Sequence, residues 1–239
     1  MLSRPQNCSE SVTTAQSRIS EACRGAGRSV DSVTLLAVSK GQSAAAIDSA
    51  ARAGVENFGE NFLQECLPKI EALAGRGLTW HFIGRLQANK TRPVAENFAW
   101  VHAVDRLKIA ERLSAQRPGH APPLNLCLQL HVGGEASKGG IAEAELEPLA
   151  AEVRKLPRIR LRGLMCMPPV EDSIARQRQW FRETRQAFDR LNERGLGLDT
   201  LSMGTSADFE AAIAEGATMI RIGTAIFGPR DTPAMIANT

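Results

Sequence analysis

The sequence predicts an α/β chain folded as a single (β/α)8 TIM barrel with an additional N-terminal helix, and three observations predict it. Eight short β-type runs are each followed by a helix or helical turn. Glycines stand where the helices end or the strands begin. No linker rich in Pro, Ser and Gly divides the 239 residues, so residues 1–239 read as one barrel domain.

The elements follow in order. An amphipathic stretch over residues 10–26 precedes the first strand and supplies the extra helix. The first strand, 33–38, leads into a helix over 44–53 that Gly54 terminates, and the second strand spans 54–58. A helix over 61–73 ends before Gly75 and Gly77, which introduce the third strand at 79–83. The fourth strand, 100–104, is followed by a helix over 106–117, and the long fifth strand, 124–132, by a helix over 143–156. The sixth strand, 159–165, precedes the longest helical pattern, 174–194, which Gly195 and Gly197 close. The last strands, 200–203 and 219–222, flank a helix over 207–215 and Gly216. A doubly wound open sheet shows the same local pattern, but no G-x-G-x-x-G follows the first strand, which argues against a dinucleotide-binding version.

Composition excludes several classes. Twenty-nine Lys and Arg against 26 Asp and Glu leave a formal charge of only +3, and the basic residues are scattered among acids. The densest set, Arg176, Arg178, Arg182 and Arg185, is interleaved with acids on a helical pattern, so it reads as a solvated face rather than a nucleic-acid footprint. Hydrophobic content of 43% excludes a disordered chain, no apolar run reaches membrane-spanning length, and no apolar block follows Arg4 as a secretory signal requires. Five cysteines lie far apart without a C-x-x-C pair, and no two histidines have metal-ligand spacing. No metal site or disulfide framework is expected, and a reducing cytoplasm is the natural compartment.

In a parallel barrel, chemistry gathers at the C-terminal ends of the strands. The first strand, L-L-A-V-S-K, finishes at Lys40, which shares a face with Leu36 and Val38. A lysine at an apolar barrel mouth is desolvated, and its neutral amine attacks carbonyls. After the seventh strand, M-G-T-S-A-D-F-E places Gly204 at a tight turn and Ser206 at the N-cap of a helix. After the eighth, R-I-G-T-A-I-F-G places Gly223 and Thr224 at the turn, with Arg221 on the same face as Gly223. Amides and hydroxyls in these two loops hold phosphate in many barrels. A phosphate site and a desolvated lysine together point to a phosphorylated aldehyde, pyridoxal 5′-phosphate, bound as a Schiff base. His81 reads as a hydrogen-bonded structural histidine, and Ser39 has no His/Asp partner that would make a serine triad.

The strings L-A-V-S-K, G-E-N-F, W-H-F-I-G-R-L-Q-x-N-K, G-E-A-S-K-G-G, G-L-M-C-M-P, L-S-M-G-T-S-A-D-F-E-A-A-I and M-I-R-I-G-T-A-I-F-G occur in order over residues 33–228. Together they resemble the pyridoxal phosphate homeostasis proteins, whose barrel is akin to the N-terminal domain of alanine racemases. The resemblance implies a monomer in which Lys40 forms the internal aldimine and Ser206, Gly223 and Thr224 hold the phosphate. It places Arg221 beside the cofactor, makes Asn61 and Met203 cofactor-proximal, and marks Lys138 as a lysine that accepts or relays cofactor. The chain departs from the family's usual pattern at Phe62, His131, Gly133 and Thr205.

Two functions of different class follow. One is a carrier that binds pyridoxal phosphate, takes part in its homeostasis and passes it to apo-enzymes without turnover. The other is a single-domain amino-acid racemase. Racemisation needs a base on each face of the substrate carbon, Lys40 supplies one, and the chain contains no Tyr to supply the other. If Arg221 faces the pyridine nitrogen it disfavours protonation there and weakens the cofactor as an electron sink, whereas against phosphate it has no such effect. The expectation is the carrier, with no catalytic residues and with pyridoxal phosphate and apo pyridoxal-phosphate enzymes as partners.

Overall fold

In a computed structural model that describes residues 8–134 and 139–228, eight parallel strands close into a barrel in sequence order. The strands are β1 (Thr34–Val38), β2 (Asn57–Glu60), β3 (Thr79–Phe82), β4 (Trp100–Val104), β5 (Leu124–Leu130), β6 (Ile159–Cys166), β7 (Thr200–Ser202) and β8 (Met219–Ile222). Outside them run α1 (Cys8–Gly25), α2 (Ala44–Arg52), α3 (Leu63–Ala72), α4 (Thr91–Asn97), α5 (Leu107–Gln116), α6 (Glu143–Arg154), α7 (Ile174–Glu193), α8 (Phe209–Ala214) and α9 (Thr224–Phe227). The closed barrel removes the open-sheet alternative, since β1 pairs with both β2 and β8.

Most boundaries fall within a residue or two of those the sequence predicts. The second strand is the clear exception, moving from 54–58 to Asn57–Glu60. The amides of Gly54 and Val55 are taken by the carbonyls of Ala51 and Ala50 in the last turn of α2, so the strand cannot start until that turn is complete. Its later start carries Glu60 to the barrel rim, where it matters below.

Alternation along each strand sorts the side chains. Ala37, Phe58, Phe82, Val101, Leu126, Leu164, Leu201 and Ile220 belong to the large apolar layer between barrel and helices. α1 adds Val12, Ala15, Ile19 and Cys23 to that layer. At about 25 cal/mol per Å² of apolar area, this layer carries most of the folding free energy. Several helix arginines are tied down outside it: Arg178 and Arg182 both reach Glu215, and Arg185 reaches Asp189.

The barrel interior is more polar. Alongside the small apolar group of Trp100, Ala103, Cys127 and Met165 runs a chain of buried polar groups contributed by five strands. His81 Nε2 meets Asn57 Oδ1 at 3.0 Å, His81 Nδ1 meets His102 Nε2 at 2.9 Å, and His102 Nδ1 meets Ser202 Oγ at 2.9 Å. Arg221 Nη1 then donates to Ser202 Oγ at 2.8 Å. A guanidinium only donates, and the Asn57 carbonyl oxygen only accepts. The Asn57 end therefore sets the direction, and the Arg221 end is compatible with it. Ser202 donates to His102, His102 donates from Nε2 to His81, and His81 donates from Nε2 to Asn57. Each imidazole is neutral with both nitrogens used. Trp100 stacks on His81 with ring centroids 5.4 Å apart and 11° between planes.

Burial holds the His81 imidazole down to about pKa 3, and burial together with His81 and the Arg221 charge pushes His102 well below its ordinary value. An unfolded chain takes up protons on both near pH 6.5, whereas the folded barrel refuses them. Stability therefore falls as pH drops below about 6.5, by up to about 1.4 kcal/mol per pH unit for each imidazole. Urea midpoints measured at pH 7 and pH 5 should drop in the wild type, and His102→Asn, although less stable at both, should lose roughly half of that pH dependence. A wild-type midpoint that does not move between pH 7 and 5 contradicts the neutral chain.

Candidate functional site

The loops at the C-terminal ends of the strands bring the predicted residues of three strands to one mouth. Lys40 lies half-buried in the turn directly after β1. β1 pairs with β8 in the register Leu36 with Arg221 and Ala37 with Ile222, so Lys40 emerges beside the Gly223–Thr224 turn. The approach is close: a Cβ on Gly223 would lie 3.3 Å from the Val38 carbonyl oxygen.

The chain on both sides of Lys40 is held by the unit of β2 and α3. Ser39 is fully buried, and its hydroxyl donates to Glu60 Oε1 at 2.7 Å. Lys69, from α3, donates to the same carboxylate oxygen at 2.9 Å and to the Ser39 carbonyl at 3.1 Å. On the other side, the Gly41 amide donates to Glu65 Oε2 at 3.2 Å. Burial pushes the Glu60 carboxyl above its usual range, against the pull of the Lys69 hydrogen bond and charge. Its second oxygen, Oε2, is buried without a partner. Breaking such a pair by removing one member is costly, on the order of 3–5 kcal/mol, because the other charge is left buried.

The β7 side differs from expectation in one respect. Ser206 is not an N-cap: α8 starts at Phe209, and Asp208 precedes it. The Asp208 carboxylate accepts instead from the Thr205 amide and hydroxyl, which winds residues 205–208 into a turn before the helix. Ser206 is thereby left half-buried in that turn, its hydroxyl without a bonded partner among the described residues. Gly204 makes the turn possible, with φ at 93° and a position where a Cβ would meet Ala212 Cβ at 2.6 Å. Its carbonyl accepts from the Arg221 amide, locking the β7 exit to β8.

Thr224 opens the short helix α9 and is exposed, its hydroxyl likewise without a partner among the described residues. The first amides of a helix have no acceptor within it. Arg221 lies one layer below, 4% exposed, donating from Nη1 to the Ser202 carbonyl at 2.6 Å and from Nη2 to the Cys166 carbonyl at 2.8 Å. No carboxylate pairs with it among the described residues, so its positive charge stands at the floor of the mouth. Asn61, directly after β2, is half-buried with Oδ1 buried and unpartnered. Met203 has the opposite parity from Ser202 and is fully buried in the outer apolar layer, so its side chain serves packing. Lys138 lies outside the described residues.

This donor set suits a phosphate monoester with a carbonyl: free hydroxyls and helix amides from the β7 and β8 loops, a buried guanidinium beneath, and a lysine alongside. Nothing among the described residues gathers three His, Cys, Asp or Glu as a metal site, and no helix is long and apolar enough to cross a membrane. Residues that sequence reasoning missed are Glu60, Glu65 and Lys69 around Lys40, and Asn57, His102 and Ser202, the partners that join His81 into a chain; His81 itself is the hydrogen-bonded structural histidine expected. The inward parity of one polar residue on each of several strands was their available signal.

The family model described as "Alanine racemase, N-terminal domain" matches residues 16–231. A pyridoxal phosphate homeostasis protein of Pseudomonas aeruginosa is 56% identical over 222 residues, covering 93% of this chain and 95% of its own. One from Escherichia coli K12 is 54% identical over 217 residues, covering 90% and 93%. Among solved structures, PipY of Synechococcus elongatus with pyridoxal phosphate bound superposes with a TM-score of 0.78 at 37% identity, covering 88% of this chain and all of that one. Alanine racemase of Corynebacterium glutamicum, at 16% identity and a TM-score of 0.70, shares the fold and has 63% of its length covered. With its barrel, its mouth residues and these relatives, the chain belongs to the pyridoxal phosphate homeostasis proteins, within the wider family built on the alanine racemase N-terminal domain.

Proposed function

We propose that this protein binds pyridoxal 5′-phosphate at the C-terminal mouth of its barrel, attached through Lys40, and holds it for intracellular pyridoxal phosphate homeostasis and delivery to apo-enzymes, without turnover of its own. The observation that carries this is the β1–β8 pairing, which sets an amine beside a turn whose hydroxyls and amides are free to take an anion. The group itself supplies an aldehyde that condenses with an amine, and a phosphate near dianionic at neutral pH.

Each residue then has a task. Lys40 provides the amine. Ser206, Thr224 and the amides after Gly223 bind the phosphate, and Arg221 adds fixed positive charge from beneath. Asn61 closes the β2 side, where its orphaned Oδ1 is ready for a donor. The pinned backbone around Lys40 keeps the amine at the rim.

The absence of turnover rests on the supply of bases. A racemase needs a second one opposite Lys40. His81 and His102 have both nitrogens engaged and stay neutral. Lys69 is committed to Glu60 and Ser39. The sequence holds no Tyr. The named relatives are called homeostasis proteins rather than enzymes.

Lys40→Ala should abolish the visible absorbance of lysine-bound cofactor, and borohydride reduction of the wild type followed by mass mapping should label Lys40. A label centred on Lys138 would refute the assignment. Ser206→Ala and Thr224→Val each remove one hydrogen bond to a charged group, worth about 1.5–3 kcal/mol, and should weaken pyridoxal phosphate binding by roughly one to two decades. Both should keep the absorbance at saturation and discriminate less against unphosphorylated pyridoxal. Equal losses for the two aldehydes in parallel titrations would show that neither hydroxyl touches phosphate.

A further inference from the structure

The large apolar side chains left exposed are distributed unevenly. Among the described residues they are Val30, Phe62, Met167, Val170 and Ile174. Four of these five follow β2 or β6 and so stand on the mouth face, on opposite flanks of the barrel opening. Three are strongly exposed: Phe62 at 62%, Val170 at 90% and Ile174 at 67%. Apolar residues scattered singly need no explanation, but gathered at one face they mark a contact surface.

The same face carries unpaired positive charge. A cavity of about 560 Å³ opens at the exits of β2, β3 and β4, and its lining contains Arg85, Lys90 and Arg106 but no Asp or Glu. Arg106 is tied to Asp105 and to the Leu86 carbonyl. The exposed side chains of Arg85 and Lys90 have no ion-pair or hydrogen-bond partner among the described residues. The contrast with the arginines of α7, paired to Glu215 and Asp189, is plain. The exits of β2 and β3 approach closely at the floor, where a Cβ on Gly84 would lie 2.5 Å from the Asn61 carbonyl oxygen.

Given the cofactor-holding function proposed above, we infer that this rim is the docking surface for recipient apo-enzymes, and that it fits a protein face with carboxylates beside an apolar patch around its own pocket. The mouth lies between Phe62 and Val170, so a recipient that takes cofactor directly from Lys40 meets this face. Carboxylates complement Arg85 and Lys90 and steer the encounter, and the apolar flanks bury area once the surfaces meet. Handover is balanced by water: one molecule adds across the carbon–nitrogen double bond and returns the Lys40 amine, and one is expelled when the recipient lysine condenses with the freed aldehyde.

The test measures association of the cofactor-loaded protein with three apo-enzymes, an aminotransferase, a decarboxylase and a serine hydroxymethyltransferase, by sedimentation and by surface binding. Pyridoxal phosphate affinity and absorbance are recorded for every variant. The double variant Arg85→Glu/Lys90→Glu should bind at least one apo-enzyme about tenfold more weakly, or worse. Val170→Asp/Ile174→Asp should weaken it as well. Wild-type binding should fall with added salt, and both variants should keep wild-type cofactor affinity. Docking is overturned if no apo-enzyme binds, or if neither double variant changes the affinity. It is also overturned if the variants lose binding only to phosphatidylserine–phosphatidylcholine vesicles, which would make the rim a membrane contact. A wild type that shows no lysine-bound absorbance refutes the cofactor function instead, whatever the apo-enzymes do.

Discussion

Burying a cation in a protein interior costs several kcal/mol unless its donors are met. Arg221 is 4% exposed, has no carboxylate partner among the described residues, and depends on three oxygens: the Ser202 carbonyl, the Ser202 hydroxyl and the Cys166 carbonyl. Much of the barrel interior follows from satisfying that one group. Ser202 accepts from it and donates onward to His102, in the one direction that the Asn57 carbonyl at the far end of the chain allows. Arg221 also links floor to rim, because its amide donates to the carbonyl of Gly204, the residue that shapes the β7 exit. Buried polar chains of this kind, complete at both ends, favour one arrangement over near alternatives.

The outer layer and the inner chain do different work. The apolar layer is where stability resides, and hydrophobic residues of similar volume exchange there at modest cost. The interior is specific rather than strongly stabilising, since each polar group gained in the barrel was already hydrated in the unfolded chain. The mouth can therefore hold unmatched donors on Ser206 and Thr224 while the chain beneath it stays fixed.

The fold was legible because it repeats: eight strand-type runs are interleaved with helical periods, and glycines punctuate them. The positions of Lys40, Gly223 and Thr224 at strand ends were legible, and they lie in the turns after β1 and β8. Ser206 was placed in the right loop but in the wrong local structure, since Asp208 competes for the capping position and pulls the preceding residues into a turn. The helix α4 was not marked out, because T-R-P-V-A-E-N offers little apolar periodicity and has a proline in its first turn. His81 reads as structural from the sequence, but its partners Asn57, His102 and Ser202 look incidental within their own strands, and only the register between strands brings them together. Glu60 and Lys69 join across a strand and a helix, a link that no local pattern announces.

The clamp on Ser39 and Gly41 bears on the kinetics of attachment. Both peptides that flank Lys40 are tied to β2 and α3, so the backbone from which its four-carbon arm extends is held in place. The amine therefore samples a small volume about a fixed anchor, and an aldehyde whose phosphate is already seated meets it at a high effective molarity. Under the attachment proposed above, rebinding after each detachment would be favoured, so residence at the mouth would be governed by how often the phosphate escapes rather than by how often the covalent link opens.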